Sequence, residues 1–200
     1  VLDSYARHKV QPVIDKGAKI VQYFGLSANT ISWIAMMLGV GSGILFILGF
    51  PIAAVFTLWI SGYLDAVDGT LARMTKPSKW GNILDITFDR VVEGTMIIAL
   101  LFVHPDAYVP IVLDLAAILI TVTVFLVTGN VIPNIGAKGF HYNPGILERT
   151  EAFLFFSLMM LFPSVLYELA WLFFVLLLIT IIKHLRDVYV WLRNNDVDKI

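Results

Sequence analysis

Between Tyr63 and Glu93 the chain reads YLDAVDGTLARMTKPSKWGNILDITFDRVVE, with Asp65, Asp68, Asp85 and Asp89 set among apolar residues. Asp65 and Asp68 stand three apart and Asp85 and Asp89 four apart, so on helices each pair shares a face. With a turn at residues 74–80 between two antiparallel helices, Asp65 falls opposite Asp89 and Asp68 opposite Asp85. At about 1.5 Å per residue all four then lie roughly 12–18 Å from the turn. Four carboxylates at one depth repel one another, and a hard divalent cation relieves that repulsion. An all-oxygen ligand set suits Mg²⁺, Mn²⁺ or Ca²⁺, and with 0 cysteines no thiolate site is available. Mg²⁺ leaves part of its shell to water and substrate phosphate, so such a cluster points to a diphosphate-bearing substrate. Gly69 and Gly81 remove bulk beside the acids, and Arg73 lies one turn beyond Gly69, placed for a phosphate or a base. Plain snorkelling to the interface is the competing reading for Arg73.

The elements that must hold these acids are membrane helices. Of the 200 residues, 58% are hydrophobic and only 14% charged, and the mean hydropathy is +0.83. A chain this apolar cannot stay solvated as a disordered one. The absence of cysteine rules out a disulfide scaffold, and a net charge of −1 leaves no basic surplus for nucleic acid. One bilayer crossing takes roughly 20 apolar residues. Segments near 30–48, 51–73, 80–102, 109–131, 146–162 and 164–187 meet this, the second and third despite their carboxylates.

The cations set the orientation. Arg7, Lys9, Lys16 and Lys19 precede the first span, while Arg73, Lys76 and Lys79 lie between the second and third, with Arg90 deeper. Lys138 and Arg149 lie between the fourth and fifth spans, and Lys183, Arg186, Arg193 and Lys199 at the end. The opposite connections carry none, so both termini and the 73–80 and 131–146 loops face the cytoplasm. The expected fold class is all-α, an integral membrane bundle of six transmembrane helices with an N-terminal amphipathic interfacial helix.

Residues 1–26 lack the apolar core and cleavage site of a signal peptide. Val10, Val13, Ile14, Gly17, Ile20, Val21 and Phe24 share one helical face, which predicts a helix lying in the cytoplasmic interface. A helix packed on the bundle is the alternative. Ser27 or Asn29 caps the first span. No internal repeat or linker is visible, so 1–200 reads as a single domain, 1–26 the interfacial helix and 27–200 the six-helix bundle.

The pattern Asp65-x2-Asp68-Gly69-x2-Ala72-Arg73-x7-Gly81-x3-Asp85-x3-Asp89 resembles the signature of the CDP-alcohol phosphotransferase family. Its eight residue types match in place, with a turn one residue shorter than is common there. Gly25-Leu26-Ser27-Ala28-Asn29-Thr30 is similar to the family's entry to the first span, with Ala28 where proline is common. Gly145-Ile146-Leu147-Glu148-Arg149-Thr150-Glu151 resembles the opening of its fifth span. The resemblance implies transfer of a phosphatidyl-type group from a CDP-linked lipid alcohol, such as CDP-diacylglycerol, to an acceptor alcohol, with release of CMP, in phospholipid biosynthesis.

It further implies that Asp65, Asp68 and Asp85 hold one or two Mg²⁺ or Mn²⁺ ions. Asp89 is then the general base and a ligand of a second ion. Asn29, Asp68, Gly69, Ala72, Arg73 and Gly81 line the site for the CDP moiety. A homodimer in the cell membrane, with its active site on the cytoplasmic side, is implied in the same way. Lys138, Arg149 and Arg90 are cations near the same face, as a glycerol phosphate or inositol phosphate acceptor needs; serine needs fewer. An internal ion pair of Arg149 with Glu148 or Glu151 competes with an acceptor-binding role.

Two other functions also place acids in a membrane: an intramembrane prenyltransferase, which sets aspartates around Mg²⁺ and a diphosphate, and a divalent-cation transporter. Neither accounts for Gly69-x-x-Ala72-Arg73 between the acid pairs. Outside the motif, Gly39 to Gly43 reads as a small-residue packing stripe. Glu93 reads as a partner that orients Asp89, or as a helix–helix hydrogen-bonding group. Asp114 reads as a solvated interfacial residue, and His8, His104, His141 and His184 as interfacial residues without metal-ligand spacing.

Overall fold

The computed structural model describes residues 2–131 and 147–194, with side chains described from residue 10 to residue 129 and again from 147. Among the described residues seven α-helices follow in order: α1 Leu2–Tyr23, α2 Ala28–Ile47, α3 Pro51–Met74, α4 Lys79–Val103, α5 Tyr108–Val131, α6 Arg149–Leu161 and α7 Leu166–Asn194. Short 3-10 turns, Pro105–Ala107 and Pro163–Val165, lead into α5 and α7. No strand occurs among the described residues.

Local chemistry sets the ends. Ser27 Oγ accepts from the Thr30 amide at 3.1 Å, and Ser78 Oγ from the Gly81 amide at 2.9 Å, so each serine caps the helix that follows. Pro51 opens α3, where a missing N–H costs nothing. Gly25 and Gly49 turn the chain at φ +70° and +86°, a conformation that favours glycine. Among the described residues four helices are long and apolar enough to cross a membrane: α2, α3, α5 with its leading turn, and α7 with its leading turn. α4 has the length but carries Asp85, Asp89, Arg90 and Glu93, and α6 has only 13 residues.

The helix pair that bears the acids is not a closed hairpin. α3 and α4 both pack against α2 more closely than against each other. The small residues of α2 allow this. A Cβ on Gly39 would stand 2.4 Å from Val92 Cγ2 and 3.0 Å from Ser61 Oγ, and one on Gly43 would stand 2.7 Å from Thr95 Cγ2. Ser42 and Ser61 donate across helices to the Ala54 and Ala35 carbonyls, each at 2.7 Å. Lipid supplies no hydrophobic drive between helices, so close backbone approach and such bonds hold them together. Because α2 lies in the seam, α3 and α4 stay apart at the level of the aspartates, which leaves room for the carboxylates and a ligand.

The stripe from Gly39 to Gly43 is therefore a packing surface, but not at Gly41, where a Cβ meets nothing within 4 Å. Gly39→Ala is expected to destabilise the protein by about 1–3 kcal/mol, the usual cost of overpacking. Gly41→Ala is expected to leave stability level or raise it, since alanine is the better helix former. Thermal melting of the two purified variants in one detergent checks this contrast.

α1 packs on α3. Ile14 and Ala18 are buried with Val67 and Leu71, and a Cβ on Gly17 would come 2.3 Å from the Tyr63 hydroxyl. That hydroxyl donates to the Val13 carbonyl at 3.2 Å. The single apolar face expected of α1 is thus divided: Ile14 and Gly17 face α3, while Val10, Val13, Ile20 and Phe24 stay exposed. On the far side of the bundle α5 pairs with α7, and α6 touches α1, α3, α4 and α7.

Candidate active site

Asp65 and Asp68 project from α3 and Asp85 from α4 into the space that α2 keeps open. One carboxylate oxygen from each lies within 4.8 Å of the other two. Asp68 is 4% exposed, and its Oδ2 has no hydrogen-bond partner among the described residues. A buried acceptor without a donor is costly unless a cation or ordered water completes it. Three carboxylates converging from two helices, one of them with an orphaned oxygen, fit a hard divalent cation that takes its remaining ligands from water and phosphate.

Asp89 lies one turn along α4 from Asp85 and turns to another partner. Arg149, the first residue of α6, contacts both Asp89 and Asp65 through the same nitrogen, Nη1, at 2.6 Å from Asp89 Oδ1. The expected register, Asp65 opposite Asp89, is realised through this guanidinium. Glu148 and Glu151 do not take Arg149. They form a capping box, with the Glu148 amide donating to Glu151 Oε2 at 3.2 Å, which pins the start of α6. The Arg149 guanidinium carbon also stands 5.4 Å from the centre of the Phe153 ring.

Glu93 is 6% exposed and grips Arg90 with both oxygens, at 2.7 and 3.0 Å. Arg90 Nη2 is 3.9 Å from Asp89 Oδ2. Glu93 is thus linked to Asp89 through Arg90, on its own helix. Charges alternate along the line Glu93, Arg90, Asp89, Arg149, Asp65, so each carboxylate has a cation beside it.

The remaining motif residues lie toward the turn between α3 and α4. Arg73 is exposed and donates to Thr70 Oγ1 at 2.8 Å. A Cβ on Gly69 would be 3.6 Å from Arg73 Nη1, and one on Gly81 would be 3.2 Å from Asn29 Oδ1. Asn29 on α2 and Gly81 on α4 are therefore neighbours, 52 positions apart in sequence. Lys138 lies outside the described residues.

Two cavities flank this centre. One, of about 470 Å³, opens between α1, α3 and α6, beside Val10, Trp59, Tyr63, Asp65, Arg149 and Phe153. The other, of about 200 Å³, lies between α4, α5, α6 and α7, beside Arg90, Glu93, Thr121, Arg149, Phe173 and His184. Two expectations change here. His184 is not at the protein surface but is 5% exposed in the wall of the smaller cavity. Asp114 is not solvated: it is fully buried on α5, and neither oxygen has a hydrogen-bond partner among the described residues. Thr70, Thr121 and Phe153 also reach the site, and no local spacing in the sequence announces them.

A family model for CDP-alcohol phosphatidyltransferase matches residues 26–191. The chain belongs to that family. Inner membrane protein YnjF of Escherichia coli is 25% identical over 178 residues, covering 82% of this chain and 84% of that protein. An archaetidylinositol phosphate synthase of Pyrococcus horikoshii is 33% identical over 95 residues, 47% of this chain and 50% of the synthase. The fold is shared with the Mycobacterium tuberculosis phosphatidylinositol phosphate synthase solved with CDP-DAG bound. The TM-score is 0.73 at 20% identity, over 89% of this chain and 94% of the other. The same synthase in complex with manganese and citrate gives a TM-score of 0.72 at 20% identity, over 86% and 87%.

As a CDP-alcohol phosphatidyltransferase the chain is a membrane-embedded phosphotransferase of phospholipid synthesis. The aspartate trio supplies an all-oxygen cluster able to hold a divalent cation. Family membership leaves the prenyltransferase and cation-transporter readings without support.

Proposed function

We propose that this chain transfers the phosphatidyl-type group of a CDP-linked lipid to a hydroxyl of a phosphorylated polyol, inositol phosphate before glycerol phosphate, releasing CMP. The observation that carries this reading is the Asp65–Asp68–Asp85 cluster with Asp89 joined to it through Arg149, the residue that lines both cavities. The two synthases similar to this chain differ in the lipid part of their names and share inositol phosphate. Six crossings, α2 to α7, with the termini and the site on the cytoplasmic side, follow from the one-sided cations. α1 then lies at that surface with Val10, Val13, Ile20 and Phe24 toward lipid.

Within this reading the larger cavity takes the lipid end of the donor, since Val10, Trp59 and Phe153 offer it apolar walls. Asn29, Asp68, Gly69, Ala72, Arg73 and Gly81 hold the CDP moiety: the glycines leave space for the diphosphate, and Arg73 meets its charge or its base at the surface. Asp65, Asp68 and Asp85 hold Mg²⁺ or Mn²⁺, which supplies neutralisation of the diphosphate and of the CMP leaving group. The smaller cavity takes the acceptor, with Arg149 for its phosphate. Asp89 accepts the proton of the acceptor hydroxyl while that oxygen bonds to the β-phosphorus. The bond from this phosphorus to the bridging oxygen breaks, and the electron pair leaves with CMP.

The test is CMP release by the purified protein in lipid with Mn²⁺ or Mg²⁺, CDP-diacylglycerol and a panel of inositol phosphate, glycerol 3-phosphate and serine. Inositol phosphate is expected to give the highest kcat/KM. A preference for serine, or no CMP with any acceptor, overturns the reading.

A further inference from the structure

Arg149 is the one residue, among those described, that lines both cavities. Its Nη1 lies between Asp65, a member of the aspartate trio, and Asp89, which stands outside it. A guanidinium in this position has two consequences. It occupies an oxygen of Asp65 and sets a positive charge against the place where a divalent cation belongs. It also closes the wall between the two cavities, across which an acceptor hydroxyl and a donor phosphorus have to meet.

The backbone beneath this side chain is fixed. Arg149 begins α6 inside the Glu148–Glu151 capping box, and the Leu147 amide before it donates to Thr180 Oγ1 of α7 at 3.2 Å. The long arginine stem is the part free to turn. The smaller cavity, which Arg149 already borders, offers the guanidinium a second place. Within it Arg90 is already gripped by Glu93, so Arg149 is the cation there whose partners change when a metal takes Asp65.

Resting on the function proposed above, we propose that Arg149 is a latch coupling the cation site to the acceptor cavity. Without a cation it bridges Asp65 and Asp89 and keeps the cavities apart. With a cation on the trio it gives up Asp65, turns into the smaller cavity and binds the acceptor's phosphate through its fork of N–H donors. Cation and phosphorylated acceptor therefore tighten each other's binding, and Arg149 carries the coupling.

The test uses the full chain in nanodiscs without CDP-lipid, so that no turnover occurs. Mn²⁺ binding is followed by the paramagnetic resonance signal of the free ion, with and without inositol phosphate as probe. Inositol phosphate is expected to tighten Mn²⁺ binding to the wild type by about fivefold or more, the lower end of ordinary coupling between sites. In Arg149→Gln, Mn²⁺ without inositol phosphate is expected to bind about tenfold tighter than in the wild type, and the coupling to disappear.

Arg149→Lys separates a latch from a mere field. Lysine keeps the charge but ends in a single ammonium on a shorter reach. A latch predicts tighter Mn²⁺ binding in this variant too, whereas simple repulsion leaves the affinity at the wild-type value. Unchanged or weaker Mn²⁺ binding in either variant, absence of coupling in the wild type, or coupling that persists in Arg149→Gln overturns the proposal. If the wild type releases CMP with Mn²⁺ and these binding results fail, only the latch falls. If no CMP is released with any acceptor, the proposed reaction falls.

Discussion

Asp89→Asn is expected to lower CMP release by at least about a thousandfold, within the range that a positioned general base contributes, while CDP-lipid binding changes little. An amide has nearly the size of a carboxylate but cannot take up a proton at neutral pH. The place proposed for the donor is built from other side chains: Asn29 stands against Gly81, Arg73 is held by Thr70, and the apolar walls lie on α1, α3 and α6. Asp89 is in contact with Arg149 and near Arg90, on the side proposed for the acceptor. Single-turnover CMP release and equilibrium binding of CDP-diacylglycerol, measured on one preparation, decide the matter. A parallel loss of both removes Asp89 from the role of base and returns it to the metal or the donor site.

Asp68→Asn is expected to abolish both Mn²⁺ binding and turnover without loss of stability. Asp68 is the most buried of the trio, and its orphaned Oδ2 is the acceptor that most needs a cation. The amide is a poorer ligand, yet its NH2 group can donate to Asp65 or Asp85, whose oxygens lie within 4.8 Å of the Asp68 carboxylate. Replacing one of three crowded charges by a donor relieves repulsion, so the metal-free variant is expected to melt at or above the wild-type temperature. Asp65→Asn is a less clean experiment, because it also removes an anchor of Arg149. A variant that still binds Mn²⁺ as tightly as the wild type places the cation elsewhere. A variant that loses both metal binding and stability makes Asp68 a structural residue.

The two experiments bear on different parts of the centre, and local spacing made both parts legible. Separations of three and four residues on helices put each acid pair on one face, and the short turn put the pairs at one depth. Cations confined to alternate connections predict the sidedness, because charge is read at the membrane surface without reference to tertiary contacts. The ends of the helices were legible for the same reason: Ser27, Ser78 and Pro51 act on amides a few residues away.

What local spacing did not carry was which helices touch. Nothing between residues 63 and 93 indicates that α2 parts α3 from α4. That depends on Gly39 and Gly43 meeting Val92 and Thr95 more than fifty positions later. Arg149 illustrates the same limit. Its neighbours Glu148 and Glu151 were equally good partners by spacing, but both carboxylates turn to the backbone at the start of α6, and the guanidinium reaches α3 and α4 instead. His184 and Asp114 read as surface residues because sequence position near a helix end says nothing about what covers that end.

The sequence by itself determined the reaction class and the apolar helices that carry it, and singled out the candidate acids, because residue type, helical period and surface charge are local properties. Only the tertiary structure decided that three of the four aspartates form the cluster, that Asp89 belongs to Arg149, and that the centre sits between two cavities. The physical reason is that an ion pair or a cavity wall forms wherever packing brings helices together, and packing is set by contacts between residues far apart in the chain.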